Sequence, residues 1–544
     1  MSSQLETVIA YHEATKHRFE KYARGPGRMD WATQPEAFRC YAGAPRIQLD
    51  IDPPGDDPSY DSVFSCNSEI AVASLDSRSI SRLLYDSMAL SAWKSADGVS
   101  WPLRINPSSG NLHPTECYLV CGAVADLCTS PMICHYAPKE HELEVRVEIP
   151  CQIWEKLVKE LPDKTILLGF TSIHWRESWK YGERAYRYCQ LDVGHALGAV
   201  ALAAAALGWE AKLLDAPGSD QLGKLLGVDS QAGAEAEVPD CLLAIFPRGA
   251  MTGHLSHNFD IVEQFDGLPW QGIPNRLSSS NRDWERIDLV AQASRKPFLY
   301  PDYPLWEAPA DEVHVTAGSG SFRRIIRQRR SAVAMDGISS MPLVTFYRLL
   351  ARTVARSAMP PFNLVAWPPV IDLVLFVHRV DGLAPGLYLL LRNRERLEEL
   401  RKSVDVEFLW QRPASCPEGL DLYLLSAIDV GAVAMAISCY QDIAAEGCFS
   451  IGMLAEFSRP LENLGPWFYP RLFWECGMIG QVLYLEAEAA GLRGTGIGCF
   501  FDDALHGLLG LGGNCYQDLY HFTVGGAVED KRLATMPAYS MRPK

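Results

Sequence analysis

Apolar residues recur along the chain in an arrangement that appears twice. Residues 191–208, "LDVGHALGAVALAAAALG", and residues 474–491, "WECGMIGQVLYLEAEAAG", each predict a long interior helix that ends at a glycine. An apolar stretch typical of a buried strand precedes each helix, "ECYLVCGAV" in one case and "IDLVLFVHRV" in the other. A second apolar strand follows each helix, at 241–246 and at 519–526. The order of predicted elements is therefore the same in both halves.

This repetition predicts an α+β chain built from two diverged copies of one domain. We place an N-terminal extension at 1–60, the first domain at 61–250, a linker at 251–317 and the second domain at 318–544. The linker contains "GLPWQGIPNRLSSSNRDW" and "YPDYPLWEAPADE", which are rich in Pro, Ser and aromatic residues and have no helical period. A chain of 544 residues is also longer than one hydrophobic core usually serves.

Composition and charge narrow the class of partner. A formal net charge of −16 disfavours nucleic acid or an anionic membrane as the main partner. The 15 cysteines are scattered, with no CxxC pair and no zinc-binding spacing, which favours reduced thiols in the cytoplasm and no metal. The N-terminus lacks the pattern of a signal peptide, and the apolar run at 196–209 is too short and Ala-rich to predict a membrane span.

The segment "PSSGNLHPTE" (107–116) gathers turn-forming residues directly before the first predicted strand. The simplest interpretation is a loop that bends the chain, because Pro, Ser, Gly and Asn favour turns. The alternative is a cradle for a polar ligand, in which Ser108, Ser109 and Asn111 supply hydrogen-bond donors and acceptors after Pro107 has stiffened the approach.

Two further segments could bind a phosphate and a flat ring. Arg329, Arg330 and Ser331 follow the predicted helix "SFRRIIRQ", and guanidinium groups grip phosphate bidentately. Lys531 and Arg532, after the last strand, could complete this cluster, although basic runs more often form a solvated surface. In "GTGIGCF", glycines would let backbone amides approach a flat ring; a plain helix-ending turn is the alternative.

Together these motifs resemble the FMN-dependent nitroreductase superfamily and, within it, the SagB/thiazoline-oxidase-type dehydrogenase branch. The resemblance is carried by "RINPSSGNLHPTECYLV", "WKYGERAYRYCQLDVGHAL", "RQRRSAVAMDG", "GLRGTGIGCFFDDALHGLLGL" and "VGGAVEDKRL". It implies a nitroreductase-like α+β fold with a central, mostly antiparallel sheet flanked by helices. It also implies an intramolecular pseudo-dimer with FMN bound where the two domains meet. One departure from the phosphate motif is Val333, where a third basic residue is common.

The resemblance assigns FMN-contacting residues in both halves, and the halves are complementary. "PSSGN" has no counterpart in the second half, and "RRS" and "DKR" have none in the first. We therefore expect one composite FMN site. Its expected residues are Pro107, Ser108, Ser109 and Asn111 over the flavin, Gly496, Ile497 and Gly498 against its ring, and Arg329, Arg330, Ser331, Lys531 and Arg532 at its phosphate.

The catalytic candidates are Lys180 and Tyr181, in a Lys–Tyr pair that the related oxidases are proposed to use to remove a substrate proton. Tyrosine is a weak base unless a nearby cation lowers its pKa, which the adjacent lysine could do; a desolvated lysine could also be the base itself. We expect both residues before a helix that carries Arg184 and Arg187 in its following turns. The alternative is a helix entrance at which these side chains only pack.

The expected function is FMN-dependent dehydrogenation of an azoline-type or other amino-acid- or peptide-derived substrate, small or carrier-tethered. Other enzymes of a biosynthetic pathway are candidate partners, and the chain would act as a monomeric pseudo-dimer or as a homodimer of it. An NAD(P)H-dependent nitro- or quinone-type reductase is the alternative enzyme. A non-catalytic flavin- or peptide-binding subunit of a biosynthetic complex is the alternative of another class.

Overall fold

The structure, a computed structural model, describes residues 3–51, 57–65, 69–251, 259–304, 306, 320–356 and 359–539. Parts of the predicted linker, at 252–258, 305 and 307–317, lie outside the described residues, as do 318–319 at the expected start of the second domain. Between the two irregular linker stretches, residues 285–293 form a helix that buries Ile287 and Val290.

The bounds of the elements up to residue 293 are as follows. The helices are α1 (Ser3–Ala14), α2 (Tyr60–Val63), α3 (Ser77–Tyr85), α4 (Cys151–Val158), α5 (His174–Tyr181), α6 (Ala185–Ala206), α7 (Ser219–Leu226) and α8 (Glu285–Ala293). The strands are β1 (Tyr41–Ala42), β2 (Arg46–Gln48), β3 (Leu90–Ala96), β4 (Val99–Arg104), β5 (Thr115–Cys121), β6 (Met132–Ala137), β7 (Glu142–Glu148), β8 (Ile166–Ser172), β9 (Trp209–Leu213), β10 (Val238–Pro247) and β11 (Ile273–Pro274).

The second half continues the numbering. Its helices are α9 (Phe322–Gln328), α10 (Leu343–Thr353), α11 (Leu397–Ser403), α12 (Gly431–Ile437), α13 (Ile443–Glu446), α14 (Ser458–Leu464), α15 (Tyr469–Ala489) and α16 (Ala504–Leu509). Its strands are β12 (Met341–Pro342), β13 (Ile371–Val377), β14 (Val380–Asp381), β15 (Gly386–Leu391), β16 (Asp421–Ser426), β17 (Phe449–Glu456), β18 (Arg493–Ile497), β19 (Tyr516–Gly525) and β20 (Ala534–Pro537).

The two halves share one sheet topology. The first sheet has the order β2-β7-β6-β5-β8-β10-β9 and the second has the order β16-β15-β13-β17-β19-β18. Apart from the edge strand β2, each strand of one sheet has a partner at the same place in the other. Every neighbouring pair in both sheets is antiparallel. The predicted α+β, antiparallel nitroreductase-like fold is confirmed.

The interior helices α6 and α15 pack directly against each other and join the halves. Both begin before the predicted apolar stretch, α6 at Ala185 and α15 at Tyr469. Glycines permit the close approach: a Cβ on Gly194 would lie 2.4 Å from the carbonyl oxygen of Trp474, and one on Gly477 would lie 2.3 Å from that of Leu191. The stretch His174–Ala206 has the length and hydropathy of a membrane span, yet its most apolar window is wholly buried inside the protein, as a core helix would be.

The chain ends also cross between the halves. His12 of α1 hydrogen-bonds the Tyr469 hydroxyl and the Gln517 side chain in the second half. Strand β20, near the other end of the chain, pairs with β3 in a small sheet ordered β20-β3-β4. Beyond β20, the Tyr539 hydroxyl donates to the carbonyl oxygen of Pro138 at 2.8 Å. Helix α1, at the start of the chain, thus contacts the second half, and β20 with Tyr539, near the end of the chain, contacts the first half.

Candidate functional site

A cavity of about 700 Å³ lies between the two halves. Pro107, Ser108 and Asn111 line it from the first half, and the segment 327–333 lines it from the second. The structure therefore brings together two predicted groups of site residues that are more than 200 positions apart in the sequence. The volume is in the range typical of small-molecule and cofactor sites.

Arg329 and Arg330 supply positive charge to this cavity, which Glu529 and Asp530 also line. The Arg329 guanidinium is buried, donates to the carbonyl oxygen of Arg104 at 3.0 Å and stacks over the Tyr484 ring. Arg330 is half-buried and donates to backbone carbonyls, including that of Arg327 at 2.8 Å. Neither arginine forms an ion pair with a residue in the described parts of the chain. Burial, and then the charge of Arg329, lower the pKa of Arg330 to about 10. A bound anion would favour the charged form of this guanidinium.

Local structure explains why these arginines face the cavity. Ser321 caps the start of helix α9, because its hydroxyl accepts from the backbone amide of Arg324 at 3.0 Å, and the helix ends at Gln328. The backbone then turns extended at Arg329, which carries its side chain under the cavity. Val333, which departs from the family pattern, also lines the cavity and is 74% exposed.

Tyr484 connects the arginine segment to the glycine-rich segment. Its hydroxyl is hydrogen-bonded to Ser331 Oγ and also accepts from the Gly496 amide, both at 2.9 Å. The expected glycine-rich loop is the edge strand β18, whose Gly494 bridges to Ser331. The Gly496 amide, expected to face a ring, is therefore engaged by Tyr484 in this structure.

The glycines of this segment are needed for close side-chain approach. A Cβ on Gly496 would lie 1.8 Å from the Tyr520 hydroxyl, and one on Gly498 would lie 2.4 Å from the Tyr188 ring. Ile497 between them is buried in the core under the second sheet. None of these three positions lines the cavity among the residues described there.

The structure does not bring Lys531 and Arg532 to the cavity. Both are exposed, and Arg532 pairs with Asp530 at 2.7 Å, whereas Asp530 itself lines the cavity. The basic residues that do line it, besides those predicted, include Lys94 and Arg493. Arg493 is the first residue of the glycine-rich strand β18, so the motif "LRGTGIG" could have indicated it from the sequence. Lys94 lies in β3 and belongs to no motif that the sequence shows.

The loop at 107–113 is anchored on a buried carboxyl group. The Ser109 amide donates to Asp192 Oδ1 at 3.2 Å, and the Ser109 hydroxyl lies 3.4 Å from the same oxygen. Ser108 Oγ accepts from the His113 amide at 2.8 Å and closes the turn. Ser109, a predicted cofactor contact, is therefore an anchor between the loop and helix α6.

Lys180 and Tyr181 meet the same loop at Gly110. Gly110 has φ +61°, and a Cβ there would lie 2.6 Å from Tyr181 Oη and 2.8 Å from Lys180 Nζ. Only glycine combines this backbone conformation with so close an approach. The two catalytic candidates are the last two residues of helix α5, and helix α6, which carries Arg187, begins four residues after Tyr181. Their side chains converge on the loop that lines the cavity.

The tyrosine is not activated as a base. Burial, and then the neighbouring Glu177 carboxyl, raise the pKa of Tyr181 well above its ordinary value. The Lys180 ammonium lies over the Tyr181 ring, 5.3 Å from its centroid. This raised pKa favours the alternative in which Lys180 is the base, and Tyr181 keeps its proton.

Two buried carboxyl groups lie behind Lys180. Burial raises the pKa of Asp192 to about 7, and burial together with Asp192 holds the pKa of Glu177 well above its ordinary range. Buried carboxyl groups with pKa values raised in this way hold a proton near neutral pH. Neither residue was singled out from the sequence, because only the tertiary structure shows that they are neighbours.

The arginines of "WKYGERAYRY" join the halves beside this group. Arg184 Nη1 lies 2.8 Å from one carboxylate oxygen of Asp502, and Arg187 Nη1 lies 2.5 Å from the other. The carbonyl oxygen of Gly498 accepts from Arg184 at 3.3 Å and from the Tyr188 hydroxyl at 2.9 Å. The motif therefore positions helix α6 on the end of β18.

The first half carries an acid where the second carries its phosphate candidates. Helix α3 packs on α6 as α9 packs on α15, and α3 is followed by Asp86 where α9 is followed by Arg329. Asp86 is buried and pairs with Arg323 and Arg327 of the second half. A carboxylate at this position opposes anion binding.

Comparison with known proteins shows a family match in the first half and a similar fold over most of the chain. The sequence profile of the nitroreductase family matches residues 88–245. No curated protein gives a significant match. The crystal structure of a protein assigned as a nitroreductase from Anabaena variabilis is similar over 96% of this chain and 99% of its own, with a TM-score of 0.68 and 21% identity.

Shorter similarities extend to two other structures. A protein assigned as a nitroreductase from Ralstonia eutropha covers 42% of this chain with 99% of its own (TM-score 0.28, 19% identity). A chain of the Escherichia coli microcin synthetase McbBCD complex with truncated pro-MccB17 bound covers 45% with 92% of its own (TM-score 0.27, 16% identity). Residues 88–245 are thus a nitroreductase family domain, within a chain whose fold is nitroreductase-like throughout.

Proposed function

We propose that the protein is an FMN-dependent oxidoreductase with one composite flavin site between its halves. The observation that carries this proposal is the cavity in which Arg329 and Arg330 of the second half, with no ion-pair partner among the described residues, face the Pro107–Asn111 loop of the first. Members of the nitroreductase family typically use a flavin. Two adjacent guanidinium groups of this kind suit a phosphate dianion, so the donor set fits FMN.

The residues of the cavity divide between the two ends of such a cofactor. Arg329, Arg330 and Ser331 would hold the phosphate, and Ser108 and Asn111 would offer polar contacts to the rest of the molecule. A bound flavin would supply a hydride acceptor. Asp530 lines the same cavity, so the binding of a phosphate there would also depend on Asp530 remaining turned toward Arg532.

We further propose that the reaction is a dehydrogenation assisted by Lys180. The Lys180 ammonium, held against Gly110, would first give a proton to the ionised form of the Glu177–Asp192 carboxyl pair behind it, and the amine so formed would take the substrate proton. Tyr181 remains protonated and would orient the substrate by donating a hydrogen bond. A Lys–Tyr pair in "WKYGERAYRY" resembles the motif of the SagB/thiazoline-oxidase-type branch, which favours an azoline-type or other amino-acid- or peptide-derived substrate.

Anaerobic half-reactions test this function. The FMN-loaded protein is mixed either with an azoline-containing peptide or with NADPH, and the visible flavin band is followed. We expect bleaching by the peptide and not by NADPH alone. Bleaching by NADPH alone would favour a nitro- or quinone-type reductase, and failure to bind FMN would refute the flavin site.

Two variants locate the chemistry. Lys180→Ala should retain FMN and lose bleaching by the peptide, because the group that takes the proton is gone. Lys531→Ala removes an exposed lysine away from the cavity and should behave as the unaltered protein does. If Lys180→Ala bleaches at the unaltered rate, Lys180 has no part in the reaction.

A further inference from the structure

Two cysteines of the second half meet near Tyr22, at a point that the proposed flavin chemistry does not use. Cys439 follows helix α12 and Cys499 follows strand β18; both are half-buried and their thiols are in hydrogen-bonding contact. The Gln441 side-chain amide donates to the carbonyl oxygens of Ser438 and Cys499, each at 2.8 Å. The backbone of both segments is therefore fixed at the distance that brings the thiols together.

His17 donates a hydrogen bond to one of the two thiols. The Ala23 amide donates to His17 Nδ1 at 2.9 Å, so the proton of the neutral imidazole is on Nε2. His17 is neutral because burial lowers its pKa. The Cys499 sulfur hydrogen-bonds the His17 side chain, and only the protonated Nε2 remains for that contact. The imidazole therefore favours a thiolate at Cys499.

The surroundings make the two cysteines unequal. The hydrogen bond from Cys439, then that from His17 and the charge of Arg184, lower the pKa of Cys499 to about 5. The contact with Cys499, and then burial, raise the pKa of Cys439. Arg184 is held in place by Asp502 and by the carbonyl oxygen of Gly498, the residue before Cys499. A stabilised thiolate beside a protonated thiol is the arrangement of an attacking and a resolving cysteine.

We propose that Cys439 and Cys499 form a redox-active pair that hydroperoxides oxidise to a disulfide. The Cys499 sulfur attacks the peroxide, the O–O bond breaks, and the leaving oxygen takes up a proton as an alcohol or water. Cys499 is then a sulfenic acid, and the peroxide has accepted two electrons. The Cys439 sulfur attacks it, the S–S bond forms, the S–O bond breaks, and the thiol proton leaves with the oxygen as water.

A second thiol contact in the chain provides a matched comparison. Cys121 in strand β5 is buried and its thiol contacts that of Cys128, which is half-buried. This contact lowers the pKa of Cys128 to about 7, but no arginine, lysine or histidine of the described chain is among the groups that act on it. The pair at 121 and 128 therefore has the thiol contact without the cationic and imidazole surroundings, and we expect it to react more slowly.

Peptide mass spectrometry of the full chain tests the proposal. The reduced protein is treated with one equivalent of hydrogen peroxide, quenched and alkylated. The expected product is a peptide pair linked through Cys439 and Cys499, formed at least tenfold faster than oxidation at Cys128. Oxidation of Cys499 no faster than that of Cys128, or oxidation of Cys499 without a link to Cys439, would overturn the proposal.

Two variants separate the roles of the cysteines without disturbing the core. Cys439→Ser should leave the sulfenic acid at Cys499 unresolved, so that a dimedone adduct accumulates there. Cys499→Ser should abolish both the link and the adduct and leave Cys439 reduced. An adduct on Cys439 in the Cys499→Ser variant, or no adduct on Cys499 in the Cys439→Ser variant, would contradict the assignment. Since the readout is thiol chemistry, it does not depend on the proposed flavin reaction.

Discussion

The backbone amide of Ser109 donates a hydrogen bond to Oδ1 of Asp192 at 3.2 Å, so the loop that lines the cavity rests on helix α6 of its own half. The carboxyl group that accepts this bond is buried beside Glu177. The loop position is thereby coupled to a group whose protonation changes near neutral pH.

Asp192→Asn should make the stability of the protein less sensitive to pH. Burial raises the pKa of Asp192 to about 7 in the folded protein, so the folded state binds the extra proton and stability falls as pH rises from about 4 to 7. Asparagine keeps an acceptor for Ser109 and has no charge to bury. Each unit of raised pKa corresponds to about 1.4 kcal/mol.

Urea unfolding at two pH values measures this effect. Between pH 4.5 and pH 8, the free energy of unfolding of the Asp192→Asn variant should gain at least about 1 kcal/mol on that of the unaltered protein. A difference between the two proteins that does not change with pH would contradict the raised pKa of Asp192.

Gly110→Ala should impair turnover more than cofactor binding. The new methyl group would meet Tyr181 Oη at 2.6 Å and Lys180 Nζ at 2.8 Å, and φ +61° is strained for alanine by about 1 kcal/mol. We expect the flavin to bind while the rate of the peptide half-reaction falls. Gly43→Ala is the matched control, because Gly43 has φ +86° with no atom within 4 Å of the added Cβ. Equal loss of rate in both variants would show that only backbone strain matters.

Asp502→Asn should strongly destabilise the contact between the halves. Although burial opposes ionisation, Arg184 and Arg187 hold the pKa of Asp502 below its ordinary range. The carboxylate therefore stabilises the fold above about pH 4 and stops doing so as pH falls through its lowered pKa. Removing one partner of such a buried group costs about 3–5 kcal/mol, measurable by urea unfolding at pH 7.

Glu398→Gln provides the comparison for that prediction. Glu398 is exposed and lies 3.7 Å from Arg401, an arrangement in which solvent screens the charges. Its substitution should leave the unfolding midpoint unchanged. If Asp502→Asn were as harmless as Glu398→Gln, the Arg184–Asp502–Arg187 group would not hold the halves together.

One flavin per chain is the expected stoichiometry. The cavity places Arg329 and Arg330 opposite the Pro107–Asn111 loop, whereas Asp86 occupies the corresponding place after α3 and would repel a phosphate. Denaturing the FMN-saturated protein and measuring the released flavin by absorbance against the protein concentration should give a ratio near one. A ratio near two would mean that Asp86 does not close the second site.

The fold could be predicted from the sequence largely because apolar periodicity and the duplicated order of elements are local properties. The pattern around 191–208 and 474–491 identified α6 and α15, and the motif resemblance identified the fold that joins them. Arg329 and Arg330 could likewise be singled out as phosphate-site candidates because they follow a helix in a recognisable motif. In each case the informative residues are neighbours in the sequence.

The rest depends on contacts between distant residues. Asp192 and Asp502 carry no local signal, and their importance follows only from Ser109, Arg184 and Arg187 converging on them. Arg532 looked like a phosphate ligand because of its motif, but Asp530, two residues away, binds it at the surface. The possible activation of Tyr181 by Lys180 is opposed by burial and by the Glu177 carboxyl, neither of which the local sequence shows.

Titration of FMN into the Arg330→Ala variant tests the composite site most directly. Arg330 forms no ion pair with a described residue, so its removal breaks no buried pair, and Arg532→Ala serves as the control because Arg532 is exposed and bound to Asp530. Followed by flavin fluorescence, Arg330→Ala should weaken FMN binding by about 1.5–3 kcal/mol, on the order of 10- to 100-fold in Kd, while Arg532→Ala should bind as the unaltered protein does. Undiminished FMN affinity in Arg330→Ala would contradict a phosphate site at the meeting of the two halves.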